Sequence, residues 1–421
     1  MFLLLQGPHG PFFDRLGALL RAAGAQVWRV GFNAGDEFFW SDPAHFVRHD
    51  APAADWPAHL ERLIDRLGVT DIVLYGDVRA IHAAARDAAA ARGLVLHVFE
   101  EGYLRPFWIS YERGGANGHS ALMSIPLDRM RTALGGHESE IYRPPAHWGD
   151  MRQHKFYGAL YHFMLLTANG RYPGFRSHRQ ISVAREFQLH LRRLLLSPAF
   201  RFARWARARR IRRGGFPYVL VLLQLEHDAS FVAHSGYARM SDFTDEVLDA
   251  FARAAPRHHH IVFKAHPLED GRGRVREAII SRARALGIEA RVHVVDGGKL
   301  AALLSQARSA ITVNSTAAQQ ALWRGLPVLA TGRAVFDKPG LVSHQTLDDF
   351  LRHPERPDAR AYRDYRAYLL ETSQVPGGFY AARSRAHALR LVVDLMLGPH
   401  DPYEALEHGR GAHRQQLEND S

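Results

Sequence analysis

The stretch FLLLQGPHGPFFDRLGALLRAA, residues 2–23, joins a short apolar run to a turn rich in glycine and proline and then to an apolar-periodic segment. The run at residues 2–5 is typical of a short buried strand, and the apolar spacing across residues 12–23 is typical of a helix. The stretch therefore predicts a strand–loop–helix unit, the repeating element of an α/β fold.

The same alternation continues along the chain. Further strands are predicted at residues 27–32, 71–75, 95–99, 218–225, 260–264, 292–295, 310–313 and 328–330. Helices are predicted at residues 58–67, 80–91, 274–286, 300–306, 317–324 and 382–397, with another opened by Ser241 as its N-cap. Because strands and helices alternate, we expect two similar parallel α/β sheets.

A length of 421 residues allows two domains with a core each. We expect two Rossmann-like domains that face a central cleft, lined by the carboxyl ends of their strands. The predicted divisions are an N-terminal Rossmann-like domain at 1–150, a basic helical segment at 151–215, a C-terminal Rossmann-like domain at 216–350, helices packing back at 351–398 and a polar tail at 399–421.

Composition excludes several classes of site. The chain has no cysteine, so disulfides, thiolate metal sites and a cysteine nucleophile are ruled out. Apolar runs such as residues 219–223 are too short to span a bilayer, and the first residues do not resemble a signal peptide. The sequence also has no Gly-x-Gly-x-x-Gly or Walker motif and no Gly-x-Ser-x-Gly elbow. We expect a soluble, cytoplasmic protein.

Positive charge is concentrated in one segment. The net charge is +11, yet residues 151–213 contain 15 Arg and Lys and one acidic residue, Glu186. Residues 201–213 interleave arginine with aromatic and aliphatic side chains. This pattern fits a solvated face, a nucleic-acid groove or a surface that lies on anionic phospholipid.

Paired carboxylates follow the predicted strand at residues 95–99. Glu100 and Glu101 precede Gly102, and adjacent carboxylates raise each other's proton affinity, which suits a general base. Arg105 could orient one of the two acids. The alternative is a solvated acidic turn.

Asp228 follows the first strand of the second half. A carboxylate at a strand end can attack an anomeric carbon or stabilise an oxocarbenium ion, and it can equally cap a turn or helix. Lys264 and His266 follow the next strand, where a cation and a proton donor suit a departing phosphate. The neighbouring run at residues 258–260 is three histidines, but consecutive strand residues point to alternate faces, so we expect no metal.

The segment Asn314-Ser315-Thr316 joins a predicted strand to a helix. Its hydroxyls and backbone N–H groups could hold a nucleotide phosphate, or serve as an ordinary N-cap.

Together these motifs resemble the KpsS/LipB-type capsule polysaccharide biosynthesis family. The resemblance covers residues 2–380 and rests on the ordered set Leu5-Gln6-Gly7-Pro8, Glu100-Glu101-Gly102, Lys264-x-His266-Pro267 and Asn314-Ser315-Thr316. It implies a GT-B-like fold and a retaining β-Kdo glycosyltransferase that uses CMP-Kdo and acts on phosphatidylglycerol or lysophosphatidylglycerol.

The resemblance also implies residue roles. Glu101, or alternatively Glu100, would be the base, and Asp228 the nucleophile or an electrostatic stabiliser. The CMP-binding set would be Lys264, His266, Pro267, Asn314, Ser315 and Thr316. The acceptor-binding or orienting set would be Gly7, His9, Arg105 and Gln224, although the spacer between Gln224 and Asp228 departs from the family pattern.

A phospholipid acceptor would place the basic segment on the inner membrane, so that the protein is peripheral there. The membrane-facing set would be Arg201, Arg204, Trp205, Arg209, Arg210, Arg212 and Arg213. No cofactor or nucleic acid is expected, and other capsule biosynthesis and export proteins are expected partners. Two alternatives stay open: a transferase for another CMP-sugar such as CMP-sialic acid, and a non-enzymatic adaptor in capsule export.

Overall fold

A computed structural model describes residues 1–135, 151–174, 209, 211, 213–226, 228–266 and 274–409. The chain divides into two compact units. Unit 1 holds the described residues of Met1–Ala121, Arg131–Phe187 and Ala367–Ser421, and unit 2 holds those of Leu122–Met130 and Gln188–Arg366.

The strands follow in chain order. They are β1 (Phe2–Leu4), β2 (Val27–Gly31), β3 (Phe46–Arg48), β4 (Asp71–Tyr75), β5 (Val95–Glu101), β6 (Trp108–Arg113), β7 (Tyr218–Leu222), β8 (His260–Lys264), β9 (Val292–Val295), β10 (Ser309–Thr312), β11 (Val328–Ala330) and β12 (Gln374–Pro376). Unit 1 contains a seven-stranded sheet of order β12-β6-β5-β4-β1-β2-β3, and unit 2 a five-stranded sheet of order β11-β10-β7-β8-β9.

The α-helices connect and cover these sheets. They are α1 (Phe12–Ala22), α2 (Ala34–Phe38), α3 (Trp56–Leu67), α4 (Ala80–Arg92), α5 (Leu127–Leu134), α6 (Met151–Thr167), α7 (Ala229–His234), α8 (Met240–Ala254), α9 (Val275–Ala285), α10 (Leu300–Leu304), α11 (Gln319–Leu322), α12 (Leu347–Arg352), α13 (Ala359–Glu371), α14 (Ala382–Leu397) and α15 (Pro402–Glu407). The expectation of two Rossmann-like α/β sheets is confirmed.

The sheet of unit 1 departs from the all-parallel prediction. β6 pairs antiparallel with both β5 and β12, while the other strand pairs are parallel. The connection between β5 and β6 is only residues 102–107, and a parallel pairing needs a crossover of a dozen or more residues. The short connection therefore forces a hairpin at this side of the sheet.

The first strand shows why the sheet of unit 1 is buried on both faces. Phe2 and Leu4 pack into a cluster with α1 and α14, whereas Leu3 and Leu5 pack into a second cluster with α3 and α4. Successive strand residues point to opposite faces, so an unbroken apolar run serves two layers of helices. In unit 2, β7 and β8 pack against α8 and α9 in one large cluster.

Several predicted boundaries are confirmed, including those of β4, β8, β9, β11 and α14. The predicted N-cap Ser241 is wrong. α8 begins at Met240 and follows Arg239, whose backbone N–H donates to the Asp242 carboxylate at 3.0 Å. In the part of the chain that is described, no helix combines the length and apolarity needed to cross a membrane.

Candidate functional site

The two candidate carboxylates lie inside a strand rather than after it. β5 extends to Glu101, and Glu100 and Glu101 stand opposite Ser110 and Ile109 of β6. Because they are consecutive strand residues, the two side chains leave opposite faces of the sheet. The next position must be glycine: a Cβ on Gly102 would lie 2.2 Å from the Trp108 carbonyl oxygen.

The two carboxylates have different surroundings. Glu100 accepts hydrogen bonds at Oε1 from the backbone N–H of Glu101 at 2.9 Å and at Oε2 from Asn117 Nδ2 at 3.5 Å. Glu101 Oε1 accepts from the Tyr75 hydroxyl at 3.2 Å, and its Oε2 makes no hydrogen bond to another described group. Both carboxylates are half-buried. Glu101 therefore keeps one oxygen available to a ligand.

Tyr75 is held firmly as the donor to Glu101. Its ring lies against Phe379, with ring centroids 5.1 Å apart. Burial, with the Tyr380 hydroxyl and the Glu101 carboxylate nearby, raises the pKa of Tyr75 well above its usual value. Tyr75 therefore stays protonated, and its hydroxyl donates a hydrogen bond that fixes the orientation of Glu101.

A fully buried carboxylate, that of Glu112, lies on β6, the strand that pairs with β5. Glu112 of β6 accepts hydrogen bonds from the hydroxyls of Tyr103 (2.5 Å), Tyr403 (2.7 Å) and Ser120. The Tyr103 hydroxyl in turn accepts from the backbone N–H of Asn117 at 2.7 Å. Burial raises the pKa of Glu112 to about 7, against the opposing effect of the three hydroxyl donors. This cluster fixes the backbone of Asn117, the donor to Glu100.

A second buried polar network closes the carboxyl ends of β1 and β2. Gln6 follows β1, and its Nε2 lies 3.2 Å from Asp36 Oδ2 and 3.1 Å from the Tyr161 hydroxyl. Tyr161, from α6, donates to Asp36 Oδ1 at 3.1 Å and accepts from Asn33 Nδ2 at 2.7 Å. Burial raises the pKa of Asp36, while Arg29 at 3.8 Å opposes that shift. The network fixes the Gln6 amide.

The turn after β1 carries two of the expected acceptor residues. Gly7 lies so close to the ring of Phe13 that a Cβ would be 2.6 Å from it, so the turn requires glycine. The His9 ring stacks on Tyr161 with centroids 4.2 Å apart. A third expected residue, Arg105, is exposed, and its Nε donates to the Gly102 carbonyl at 3.2 Å. Gly7 and His9 therefore lie beside the Gln6 network, and Arg105 braces the turn after Glu101.

In unit 2, the residues after β7 and β10 are joined directly. Gln224 Nε2 donates to Asn314 Oδ1 at 2.9 Å, and the Asn314 backbone N–H donates to Gln224 Oε1 at 3.2 Å. Asn314 Nδ2 also donates to the Ser230 carbonyl at 3.0 Å. These two buried amides satisfy each other and hold the two strand ends in a fixed relation.

Asp228 caps the short helix α7. Its Oδ1 accepts the Ser230 backbone N–H at 2.9 Å, and its side chain is half-buried. The sequence allowed either a capping role or a catalytic role for Asp228, and this geometry is that of a cap. Its second oxygen, Oδ2, has no hydrogen bond to a described group.

The remaining unit 2 residues follow β8 and β10. Lys264 ends β8 with 7% of its surface exposed, and its Nζ donates to the Ala265 carbonyl at 2.9 Å. His266 is half-buried two residues later. Ser315 Oγ accepts the Ala317 backbone N–H at 3.3 Å as the cap of a short 3-10 turn, and Thr316 begins that turn. Lysine, histidine and hydroxyls thus gather at one edge of the sheet, within about two strand spacings or roughly 10 Å.

Edge 1 is the carboxyl edge in unit 1 formed by Gln6, Asn33, Tyr75, Arg79, Glu100 and Glu101. Edge 2 is the carboxyl edge in unit 2 formed by Gln224, Asp228, Lys264, His266, Asn314, Ser315 and Thr316.

Some expected residues lie outside the described part of the chain: Pro267, Arg201, Arg204, Trp205, Arg210 and Arg212. Arg209 and Arg213 are described and exposed. Within the described ranges, no group of three or more histidine and acidic side chains could hold a metal ion. His260 Nδ1 instead lies 2.9 Å from His293 Nε2.

Sequence reasoning missed Tyr75, Arg79 and the Glu112 cluster. Arg79 Nη1 donates to Gln6 Oε1 at 2.8 Å, although 73 residues separate the two. Arg79 follows β4 as Gln6 follows β1, so a search for polar residues beyond every predicted strand would have found it. Two hydroxyl partners of Glu112, those of Tyr103 and Ser120, are nine and eight residues away, whereas that of Tyr403 is 291 residues away. No periodic pattern in the sequence joins the three.

Comparisons with known proteins agree with the resemblance of the motifs. The family model described as "Capsule polysaccharide biosynthesis protein" matches residues 70–380. The capsule polysaccharide export protein KpsS of Escherichia coli is 29% identical over 389 residues, covering 90% of this chain and 96% of that protein. The capsule polysaccharide modification protein LipB of Neisseria meningitidis serogroup B is 31% identical over 386 residues, covering 90% and 91%.

Solved structures show a more distant likeness. The KpsC β-Kdo 2,7 transferase of Thermosulfurimonas dismutans matches with a TM-score of 0.42 and 12% identity, covering 94% of this chain and 99% of that one. A likeness of this extent does not assign an activity.

Proposed function

Because the chain belongs to the capsule polysaccharide biosynthesis family, we propose that it is a retaining β-Kdo glycosyltransferase. It transfers Kdo from CMP-β-Kdo to phosphatidylglycerol or lysophosphatidylglycerol and so begins the β-Kdo linker of a capsule. The observation that supports this assignment is the set of side chains at each edge: two adjacent carboxylates at edge 1, and a lysine, a histidine, hydroxyls and the Asp228 carboxylate at edge 2.

Edge 2 suits the cytidylate. CMP leaves as a phosphate monoester, so the enzyme must stabilise negative charge as the glycosidic bond breaks. Lys264 supplies a nearly buried positive charge, and His266 supplies a hydrogen-bond or proton donor. The hydroxyls of Ser315 and Thr316 add further donors beside the fixed Asn314.

Edge 1 suits activation of the acceptor hydroxyl. Both oxygens of Glu100 are engaged, whereas Glu101 is oriented through one oxygen and keeps the other available. We assign Glu101 as the general base and Glu100 as the residue that steadies the end of β5. General bases of this kind contribute about 10² to 10⁴ in rate.

Retention of configuration requires two displacements. In the first, Asp228 Oδ2 attacks the anomeric carbon, the bond from that carbon to the CMP oxygen breaks, and CMP departs as the anion. In the second, the lipid hydroxyl attacks the anomeric carbon, its proton passes to Glu101, and the Asp228 carboxylate is released. The hydrogen bond that Asp228 Oδ1 accepts from the Ser230 backbone N–H would orient Oδ2 for this attack. If Asp228 acts only as a stabiliser, no covalent adduct forms.

The lipid acceptor calls for a surface that can lie on a membrane, and α6 offers one. Phe156, Phe163 and Leu166 are 62%, 57% and 50% exposed, and helical spacing places them on one side of α6. Residues 151–174 contain no acidic side chain. Anionic lipids add on the order of 1 kcal/mol for each nearby Arg or Lys. We propose that this face, with the rest of residues 151–213, lies on the inner membrane.

Sedimentation with vesicles tests this surface. The wild type should pellet with phosphatidylglycerol vesicles and not with neutral phosphatidylcholine vesicles. The double variant Phe156→Ser/Phe163→Ser should stay in the supernatant, whereas Val232→Ser, which removes a 66% exposed valine from unit 2, should pellet normally. Unchanged pelleting of the double variant would contradict the assignment of α6.

The direct test of the activity is incubation with CMP-Kdo and a fluorescent lysophosphatidylglycerol, read by mass. A product heavier by one or more Kdo residues is expected. Product from CMP-sialic acid alone would establish the other CMP-sugar transferase instead. The name of the Escherichia coli relative, an export protein, favours a second candidate, a non-enzymatic adaptor. Absence of transfer from every donor by folded protein would support that candidate.

A further inference from the structure

Arg79 is a cation at edge 1 that the proposed chemistry does not yet use. It is half-buried and lies just beyond β4, four residues after Tyr75. The only hydrogen bond from its side chain to a described residue goes from Nη1 to Gln6 Oε1 at 2.8 Å, and within the described ranges the guanidinium forms no ion pair with a carboxylate. A guanidinium has five N–H donors in a fixed fork, so most of its donors stay available.

The surrounding network fixes the direction of Arg79. Gln6 is 7% exposed, and its Nε2 is engaged by Asp36 and Tyr161, so its Oε1 can only point toward Arg79. The Gln6 side chain therefore acts as a fixed acceptor that holds one arm of the guanidinium. Gln6 and its network partners Asn33, Asp36 and Tyr161 are all buried. A solvated arginine would not need such a buried, hydrogen-bonded network to orient it.

The position of Arg79 relates it to Glu101. β1, β4 and β5 are neighbours in the sheet, so Gln6, Arg79 and Glu101 lie along one edge within about two strand spacings, roughly 10 Å. Tyr75 ends β4 and donates to Glu101, so the same strand end carries the orienting group of the base and, four residues on, the arginine. A small molecule could reach both groups at once.

We propose that Arg79, oriented by Gln6, binds the phosphate of the acceptor and thereby positions the acceptor hydroxyl at Glu101. Arginine forks match phosphate oxygens through paired N–H donors, which gives orientation as well as charge. In a glycerol phosphate headgroup, the hydroxyls are joined to the phosphate through the short glycerol chain. This inference rests on the proposed function for the identity of the acceptor, but the anion site itself does not depend on it.

Binding measurements test the site without any turnover. Calorimetric titration of sn-glycerol 1-phosphate into the full chain should show binding to the wild type and at least tenfold weaker binding to Arg79→Gln. Arg79→Lys should recover part of the affinity, because a point charge lacks the fork. Arg66→Gln, at an exposed position of α3, is the matched control and should bind as the wild type does. A parallel titration with inorganic phosphate shows whether the glycerol contributes.

Kinetics separates this inference from the proposed function. With lysophosphatidylglycerol, Arg79→Gln should raise the acceptor KM at least tenfold and leave the CMP-Kdo KM within twofold. With the uncharged acceptor monoacylglycerol, the wild type and Arg79→Gln should perform alike. If the wild type and Arg79→Gln have equal KM values for lysophosphatidylglycerol, the role of Arg79 is wrong, although the proposed transferase activity is not affected. Arg79-dependent binding of glycerol phosphate without any transfer would overturn the proposed function and leave the anion site.

Discussion

Edge 1 and edge 2 both lie at the carboxyl ends of parallel strands, but they differ in the charge of the groups buried beside them. At edge 1, Glu100 and Glu101 are the last two residues of β5, and the acids Asp36 and Glu112 are buried in the same unit. At edge 2 the buried core is a neutral amide pair, Gln224 with Asn314. Unit 1 therefore buries two acids beside edge 1, whereas the buried charged group among the described residues of edge 2 is the cation Lys264.

This contrast shows that the sheet supplies positions and the residues after each strand supply function. The buried acids of edge 1 are surrounded by hydroxyl and amide donors from distant segments, so their charge is costly and sensitive to pH. The amide pair of edge 2 is satisfied without charge at any physiological pH.

The role of Glu101 should produce the largest change. Glu101→Gln keeps the shape and the hydrogen bond from Tyr75 but cannot take a proton, so kcat should fall about 10² to 10⁴-fold. Glu100→Gln is the matched control on the neighbouring residue and should lose much less. Steady-state transfer kinetics on both folded variants would decide. A larger fall in kcat in Glu100→Gln than in Glu101→Gln would make Glu100 the general base instead.

The buried acid Glu112 should make unit 1 sensitive to pH. Its pKa of about 7 in the fold lies above the usual value of 4.5, so the fold favours the protonated form. The stabilisation is therefore complete below pH 4.5 and is lost as the pH rises through 7, by on the order of 3 kcal/mol. Hydrogen-exchange protection of β6, corrected for intrinsic rates, should fall from pH 5 to pH 8, while protection of β7 in unit 2 should change little.

The control for that experiment is Glu112→Gln. An uncharged amide has no proton to lose in this range, so the protection of β6 should become nearly independent of pH. If the protection of β6 falls with pH in Glu112→Gln as steeply as in the wild type, another group causes the pH dependence.

The hydroxyl of Ser315 should give the smallest effect. Ser315→Ala removes the hydroxyl that accepts from the Ala317 N–H and that we propose as one donor to the nucleotide phosphate. One hydrogen bond is worth about 1 kcal/mol net, so loss of the bond from Ser315 should weaken CMP affinity about fivefold. Ser305→Ala, which removes an exposed hydroxyl elsewhere in unit 2, should leave the affinity unchanged. Equal affinities for both variants would remove Ser315 from the nucleotide site.

Local pattern predicted the sheet strands that are plain apolar runs, such as β4, β8 and β9, because each buries both faces. It missed β6 and β12. Glu112 and Ser110 interrupt the apolar pattern of β6, and their burial depends on partners from other segments. β12 is three residues long and ends in proline, so its pairing with β6 is decided by tertiary structure.

The candidate site was predictable where a polar side chain lies at or just after a strand end, as at Glu101, Lys264 and Asn314. Tyr75 and Arg79 belong to the site only because β4 lies between β1 and β5, a strand order that a single sequence does not reveal. The Tyr161 contact with Asp36 joins residues 125 positions apart and is equally invisible to periodicity.

We propose that edge 2 holds the cytidylate and that edge 1 activates the acceptor. Calorimetric titration of CMP into the wild type, His266→Ala and Glu101→Gln would separate these two roles. We expect wild-type affinity in Glu101→Gln and at least tenfold weaker binding in His266→Ala. Wild-type affinity in His266→Ala together with lost affinity in Glu101→Gln would contradict it.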